Sequence, residues 1–329
     1  MHRTDLARIL YVCACASLLI ASPASAQPSE LYPRRPVRMV LPQPPGGAVD
    51  LISRALSLRL SDALGQPFVV ENRPGANGII AAELIANAVP DGYNLLMVVD
   101  TNLVVNPTLY TKIPYDPFRD FTPISIIAKG GLALVAHPSV PASTVQELIA
   151  FAKSKPHDIN YASLGSGTQQ HLGMELFKAM AGIELTHIPY KGTAAAMSDL
   201  LAGTIAIMFS GMPSALAQSK SQRVKLLAVT SAQRSNLAPQ LPTMAESGVP
   251  GFELTAWWGL LGPAKLPPEI LGRLVQEVTK ATNHPEFRNT LIAQGIDPLG
   301  TSPETMLSVM RSDTEKWSKV IHDSGSKAQ

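Results

Sequence analysis

Four short segments combine glycine with small polar residues in a way that serves one kind of chemistry. They are Gly46-Gly47-Ala48-Val49, Gly75-Ala76-Asn77-Gly78, Gly165-Ser166-Gly167-Thr168 and Tyr190-Lys191-Gly192. Each lies between an apolar run and a stretch with helical periodicity, where a strand hands over to a helix. Backbone N–H groups there have no intrahelical acceptor, and the positive end of the helix dipole faces outward. Glycine allows a ligand close to that backbone. Such loops suit an anion, above all a carboxylate gripped by amides. Any one of them also serves as a plain tight turn; recurrence in both halves of the chain favours binding.

Side chains for covalent or metal chemistry are sparse. There is no G-x-S-x-G elbow, no His-Glu metalloprotease motif and no G-x-x-x-x-G-K-[ST] loop. Gly165-Ser166-Gly167 lacks the third glycine of a dinucleotide fingerprint, with Gln170 in its place. His137, His157, His171, His187, His284 and His322 include no pair at metal-ligand spacing along a helix. His171, one turn into a helix from a glycine loop, has two readings: ligand contact, or capping and stacking inside its own lobe. Lys191 either attracts an anion or is a solvated loop cation. Asp50 reads as a cap from the first turn of its helix. Trp257 and Trp258 either wall a cleft or split between core and surface. No catalytic residue, metal or cofactor is implied, and the chain does not read as an enzyme.

The elements that must position these loops follow a repeating order. Strand Val37 to Leu41 leads through the first loop to a helix stopped by Gly65. Phe68 to Glu71 leads through the second to a helix ending near Asn87, and Asn94 to Val99 follows. That βαβαβ order predicts a parallel sheet covered by helices. After a proline-broken stretch, Asn106 to Pro123, two separate apolar runs are expected as strands, Ile124 to Ala128 and Leu132 to Ala136. Ser143 and Gln146 are placed as a capping box for the next helix. A second series follows: strand Ile159 to Ala162, helix Gln169 to Ala181, strand Leu185 to Ile188, helix Thr193 to Leu201, and strands Ile205 to Phe209 and Val224 to Val229 joined through Ser210-Gly211-Met212-Pro213. Leu254 to Leu261 reads as a last strand. Helices opening with proline then run from Pro268, Pro285 and Pro303, a tail expected to pack on the first lobe.

At the N-terminus Arg3 and Arg8 precede an apolar run and Ala24-Ser25-Ala26, the form of a cleaved signal peptide over 1–26. Both cysteines, Cys13 and Cys15, fall inside it, so no disulfide framework is expected in the mature chain. The formal net charge is +2 with basic residues scattered, which gives no nucleic-acid footprint.

Several segments together resemble the Bug family, the substrate-binding proteins of tripartite tricarboxylate transporters. They are Pro45-Gly46-Gly47-Ala48-Val49-Asp50, Glu71-Asn72-Arg73-Pro74-Gly75-Ala76, Pro90-Asp91-Gly92-Tyr93, Tyr115-Asp116-Pro117-Phe118-Arg119-Asp120-Phe121, the run from Tyr161 to Thr168 with His171-Leu172, Pro189-Tyr190-Lys191-Gly192, Leu227 to Ser231, and Pro250-Gly251-Phe252-Glu253. The resemblance implies a type II periplasmic-binding-protein fold, two α/β lobes joined by a hinge with a ligand cleft between them. Lobe 1 would comprise 27–127 and 251–329, and lobe 2 would comprise 128–250. It further implies a monomeric periplasmic receptor for a small organic acid, partnered by the membrane permease subunits of a tripartite tricarboxylate transporter. A sensory receptor with a signalling partner is the alternative. First-lobe contacts would come from Gly46, Gly47, Ala48, Val49, Gly75, Ala76, Asn77, Gly78, Thr101 and Asn102. Second-lobe contacts would come from Ser163, Gly165, Ser166, Gly167, Thr168, His171, Tyr190, Lys191, Gly192 and Ser210. The chain departs from the family pattern at Asn77, commonly another glycine, and at Ala195, commonly proline. Ser210 stands where the family often has an aspartate able to recognise a ligand's amino group, which favours a plain carboxylic acid.

Overall fold

A computed structural model describes residues 32–325; the expected signal segment, with both cysteines, lies outside them. Strand β1 (Val37–Leu41) feeds helix α1 (Ala48–Leu64), which stops at Gly65 in the left-handed conformation. Then come β2 (Phe68–Asn72), a short 3-10 turn (Ala76–Gly78), α2 (Ile79–Ala86) and β3 (Asn94–Val99). β1 pairs in parallel with both β2 and β3. Two short helices follow, α3 (Thr101–Val104) and α4 (Asn106–Leu109), the second at the start of the stretch read only as a proline-broken connection.

The two apolar runs expected as separate strands form one 16-residue strand, β4 (Phe121–Ala136). Gly130 and Gly131 allow this continuity, because other side chains occupy the space theirs would need. A β-carbon on Gly130 would stand 3.3 Å from the Trp258 ring, and one on Gly131 would stand 2.9 Å from Ser231. Helix α5 (Val145–Ser154) is capped one residue later than expected: Thr144 Oγ1 accepts from Glu147 N at 3.1 Å, and Glu147 Oε2 accepts from Ser143 N. Ser143 thus donates its backbone N–H in place of capping the helix, and Gln146 makes no capping bond, because Thr144 holds the extended N-cap conformation.

The second series runs β5 (Asn160–Ser163), α6 (Gln169–Ala181), β6 (Thr186–Pro189), α7 (Thr193–Leu201), β7 (Ile207–Gly211), α8 (Met212–Lys220) and β8 (Lys225–Val229). The link read as Ser210 to Pro213 is no loop: Ser210 and Gly211 end β7, and Met212 and Pro213 open α8. β9 (Thr255–Pro263) follows, then α9 (Pro268–Asn283), α10 (Pro285–Ile292), β10 (Asp297–Pro298) and α11 (Pro303–Ser324).

Two sheets share β4. One has the order β2-β1-β3-β9-β4 with β10 beside β4; the other runs β6-β5-β7-β4-β8. β4 pairs with β9 from Phe121 to Gly131 and with β7 from Leu132 onward, so it changes partner between Gly131 and Leu132. The molecule is a two-lobed α/β structure. α9 and α10 pack on α1, while α11 packs on β4, α3 and α6 and so touches both lobes. Both tryptophans of β9 are buried, Trp257 at 4% and Trp258 at 8% exposure. The alternative of one core and one surface ring fails because both rings are covered: Trp257 Nε1 donates to Asp313 of α11 at 2.8 Å, and the Trp258 ring packs over Gly130. No helix among the described residues is long and apolar enough to cross a membrane.

Candidate ligand-binding cleft

The loops that the sequence singled out all stand at carboxyl ends of strands, where α/β sheets bind ligands. Their N–H groups are not equally available. Gly46 N donates to Asp50 Oδ2 at 3.1 Å. Asp50 is buried, takes two bonds from Arg54 (3.0 and 2.9 Å) and one from Asn72 Nδ2 (3.1 Å), and Asn72 also reaches Gln43 O. Hydrogen bonding to Arg54 holds the Asp50 carboxyl below its ordinary range against the opposing effect of burial. Asp50 therefore ties down the loop before α1 and does not cap the helix; Gly47 occupies the N-cap. The first N–H groups of α1, beginning at Ala48, remain outward-facing donors by helix geometry.

The second loop is locked. Gly75, Ala76, Asn77 and Gly78 all have positive φ, from 46° to 137°. Asn102 Nδ2 and Asn106 Nδ2 both donate to Asn77 O at 2.9 Å, and Asn77 Nδ2 donates to Asn106 Oδ1 at 2.8 Å. Asn102 Oδ1 accepts from Val99 N, so both ends of this buried amide are engaged in the frame. A β-carbon at Gly78 would meet Asn102 Nδ2 at 2.5 Å, which requires glycine there. Thr101 is buried and donates its N–H to Asp100 Oδ1 at 2.6 Å.

In the other lobe a buried polar chain supports the third loop. Gly167 N donates to His171 Nδ1 at 3.3 Å, and His171 lies 4.4 Å, ring to ring, from His187. His187 Nε2 is 2.5 Å from Ser163 Oγ, which also accepts from Gly165 N at 3.0 Å. Tyr161 stacks on His187 at 4.9 Å and donates to Glu175 at 2.7 Å. Burial, then the neighbouring His187, pushes His171 down to about 4, and burial also lowers His187. Both rings are thus neutral at neutral pH and able to accept. His171 caps the loop and stacks within its own lobe. Thr168 Oγ1 binds Gly165 O at 2.7 Å, and Ser166 is half-buried in this loop.

Tyr190 donates its N–H to Ser163 O and its hydroxyl to Asp199 at 2.6 Å. Lys191 is exposed, and Gly192 has φ 178°, an extended backbone open to any residue. Ser210 is 1% exposed, and its Oγ has no hydrogen-bond partner among the described residues.

A cavity of about 190 Å³ lies between the lobes, lined by Gly46, Gly47 and Ala48 at the start of α1, Gln169 at the start of α6, Gly211, Met212 and Pro213 at the start of α8, and Gly130 and Trp258 at its floor. It gathers only part of the expected set. Gly75 to Gly78 and Gly165 to Thr168 meet beside it: a β-carbon on Gly167 would contact Leu109 and stand 3.7 Å from Asn77 Nδ2. Tyr190, Lys191 and Gly192 do not line it. A larger cavity, about 320 Å³, between residues 231–237 and Lys129, Ile292 and Asp297 contains none of the expected residues. The smaller one fits a ligand better because three helix starts converge on it. Trp258 lines it, as one of the two readings of that residue expected, whereas Gln169, Met212, His187 and Asp100 were not foreseen. Asp100 and Gln169 did carry a signal, each standing directly beside a loop already singled out.

Residues 52–326 match the tripartite tricarboxylate transporter family receptor. A protein of the tcbD-tcbE intergenic region of Pseudomonas sp. (strain P51) is 38% identical over 93% of this chain and 91% of its own length. BugT of Bordetella pertussis is 35% identical over 94% of both chains. Among solved structures, R. palustris Rpa4515 with adipate superposes with TM-score 0.83 at 34% identity, covering 91% of this chain and 100% of that one. MatC from Rhodopseudomonas palustris with bound malate gives 0.77 at 27% identity, covering 88% and 100%. With its strand-end loops facing one another across two lobes, the chain belongs to the tripartite tricarboxylate transporter receptor family, the periplasmic solute-binding proteins of the Bug type.

Proposed function

We propose that this receptor, after loss of residues 1–26, captures a linear dicarboxylate between its lobes and presents the closed form to the permease subunits of a tripartite tricarboxylate transporter. The observation that carries this reading is the convergence of the starts of α1, α6 and α8, from both lobes, on one cavity. A carboxylate near one helix start gains about 0.3–1 kcal/mol, and up to about 2 in partly buried geometry. Exposed Lys191 stands outside the cavity lining and adds no more than about 1 kcal/mol. The relatives solved with adipate and malate hold dicarboxylates, which supports the same ligand class here. In this reading the lobes divide at 127/128, within β4 and a few residues before its change of strand partner, and at 250/251. The ligand is held by free amides from Gly47, Ala48, Val49 and Ser166 and by Ser210 Oγ, with the remaining expected residues shaping those loops. The protein acts as a monomer, by binding alone.

A thermal-shift series on refolded mature protein tests this. A ligand at a hundredfold excess over its Kd adds about 2.7 kcal/mol to stability. Dose-dependent stabilisation by adipate and its homologues is expected. A flat response to linear dicarboxylates, with stabilisation by amino acids instead, would overturn the reading.

A further inference from the structure

Asp100 follows β3 and is 1% exposed. Oδ1 accepts from Thr101 N at 2.6 Å, and Oδ2 accepts from Gln169 Nε2 at 3.2 Å across the lobes. The groups around it are few. β9 contributes Trp257, whose carbonyl takes Asp100 N at 3.0 Å. α11 contributes Asp313, a second carboxyl, which accepts from Trp257 Nε1 at 2.8 Å and is itself flanked by Lys316 and Glu253. No cation pairs with Asp100 among the described residues. Burial pushes its carboxyl up to about 7, and Asp313 adds to the effect.

Gln169 lines the 190 Å³ cavity, and its Oε1 has no hydrogen-bond partner among the described residues. An ionised carboxyl only accepts, so it draws the NH2 group of Gln169 and leaves the amide oxygen for the cavity. An oxygen acceptor repels a ligand carboxylate. A protonated Asp100 donates O–H to Oε1, and the reversed amide then offers its NH2 to the ligand.

We propose that Asp100 decides which end of the Gln169 amide meets the ligand, so that a carboxylate is captured together with one proton on Asp100. The ligand class rests on the function proposed above; the switch itself does not.

Two measurements separate them. In the ligand-free protein, the Gln169 side-chain amide resonances are followed by NMR across neutral pH. They are expected to titrate with a midpoint near 7 in the wild type and to stay fixed in Asp100→Asn, which is neutral throughout. An amide that does not titrate overturns the switch. With adipate as the probe, calorimetry is expected to show affinity falling towards tenfold per pH unit above the midpoint, with proton uptake. Gln169→Met keeps Asp100 and removes the amide, so its adipate affinity is expected to lose that dependence. Wild-type affinity independent of pH, or an unchanged dependence in Gln169→Met, overturns the proposal. If adipate and other linear dicarboxylates fail to bind at all, the functional reading falls, and the Gln169 resonance alone judges the switch.

Discussion

Gly167 of the second lobe sits against Leu109 of the first, so closely that a β-carbon on Gly167 would overlap Leu109 Cδ2. Gly167 also has φ +78°, a conformation that costs a non-glycine residue roughly 1–2 kcal/mol. Gly167→Ala is therefore expected to lower adipate affinity at least about tenfold, since the lobes can no longer meet. Leu109→Ala costs about 2–5 kcal/mol of stability by itself. Leu109→Ala also removes the Cδ2 atom that the new methyl would meet, so in the double variant the affinity loss from Gly167→Ala is expected to be smaller than in the Leu109 background, as for residues in contact. Calorimetric titration of all four proteins checks this; strict additivity would show that the contact does not govern binding.

Ser210 separates a ligand role from a packing role. A buried hydroxyl without a partner costs about 1–3 kcal/mol, so Ser210→Ala is expected to leave the unfolding midpoint of the free protein unchanged or raised. Adipate affinity is expected to fall about tenfold if the hydroxyl donates to the ligand. Denaturation and titration of the one variant give both answers. A stability loss without an affinity loss would place Ser210 in the frame instead.

The neutral histidines give the protein an acid limb. His171 falls from 6.5 to about 4 on folding, so the unfolded chain binds a proton that the folded one refuses. Stability from this group is present above about 6.5 and is lost as pH falls toward 4. Asp100 works in the opposite sense, since its raised value of about 7 makes stability fall as pH rises from the ordinary carboxyl range towards that point. His171→Gln keeps an acceptor for Gly167 N and is expected to flatten the acid limb in urea unfolding between about pH 6.5 and 4. An unchanged limb would mean that His171 already protonates in the fold.

Asp50 and Arg54 differ in what they hold. Asp50→Ala removes the acceptor of Gly46 N and of Asn72, so about 1–3 kcal/mol of stability is expected to go, along with adipate affinity. Arg54 is half-exposed, and Arg54→Ala is expected to cost under about 1 kcal/mol. Equal effects in urea unfolding would mean that the ion pair, not the loop, is what matters.

The local signals that built the fold were strong where chain neighbours decide the outcome. Gly65 and Gly182 end their helices in the left-handed conformation, and the strand Val37–Leu41 and the helix Gln169–Ala181 have the bounds that their periodicity implied. The errors came where a neighbour in space decides. Lys129-Gly130-Gly131 looks like a break until Trp258 and Ser231 fill the places of the absent side chains. The cleft follows the same rule. Its loops are visible as glycine clusters, but the Asp100–Gln169 bond spans 69 residues, and Ser163 and His187 meet only because β5 and β6 pair. Which amides remain free for a ligand likewise depends on acceptors elsewhere, such as Asp50 and His171.

The single strand β4 has a mechanical consequence. It supplies an edge of pairing to β9 in one sheet and to β7 and β8 in the other, so neither lobe can lose its order without stripping partners from the other. The pair should melt as one cooperative body, with one calorimetric transition. Any bending between the lobes must also be taken up as twist along a continuous hydrogen-bonded ribbon, through Gly130 and Gly131, and not by the slackening of a loop. Such a ribbon acts as a spring with a preferred angle, so motion of the lobes in either direction stores elastic energy that drives their return.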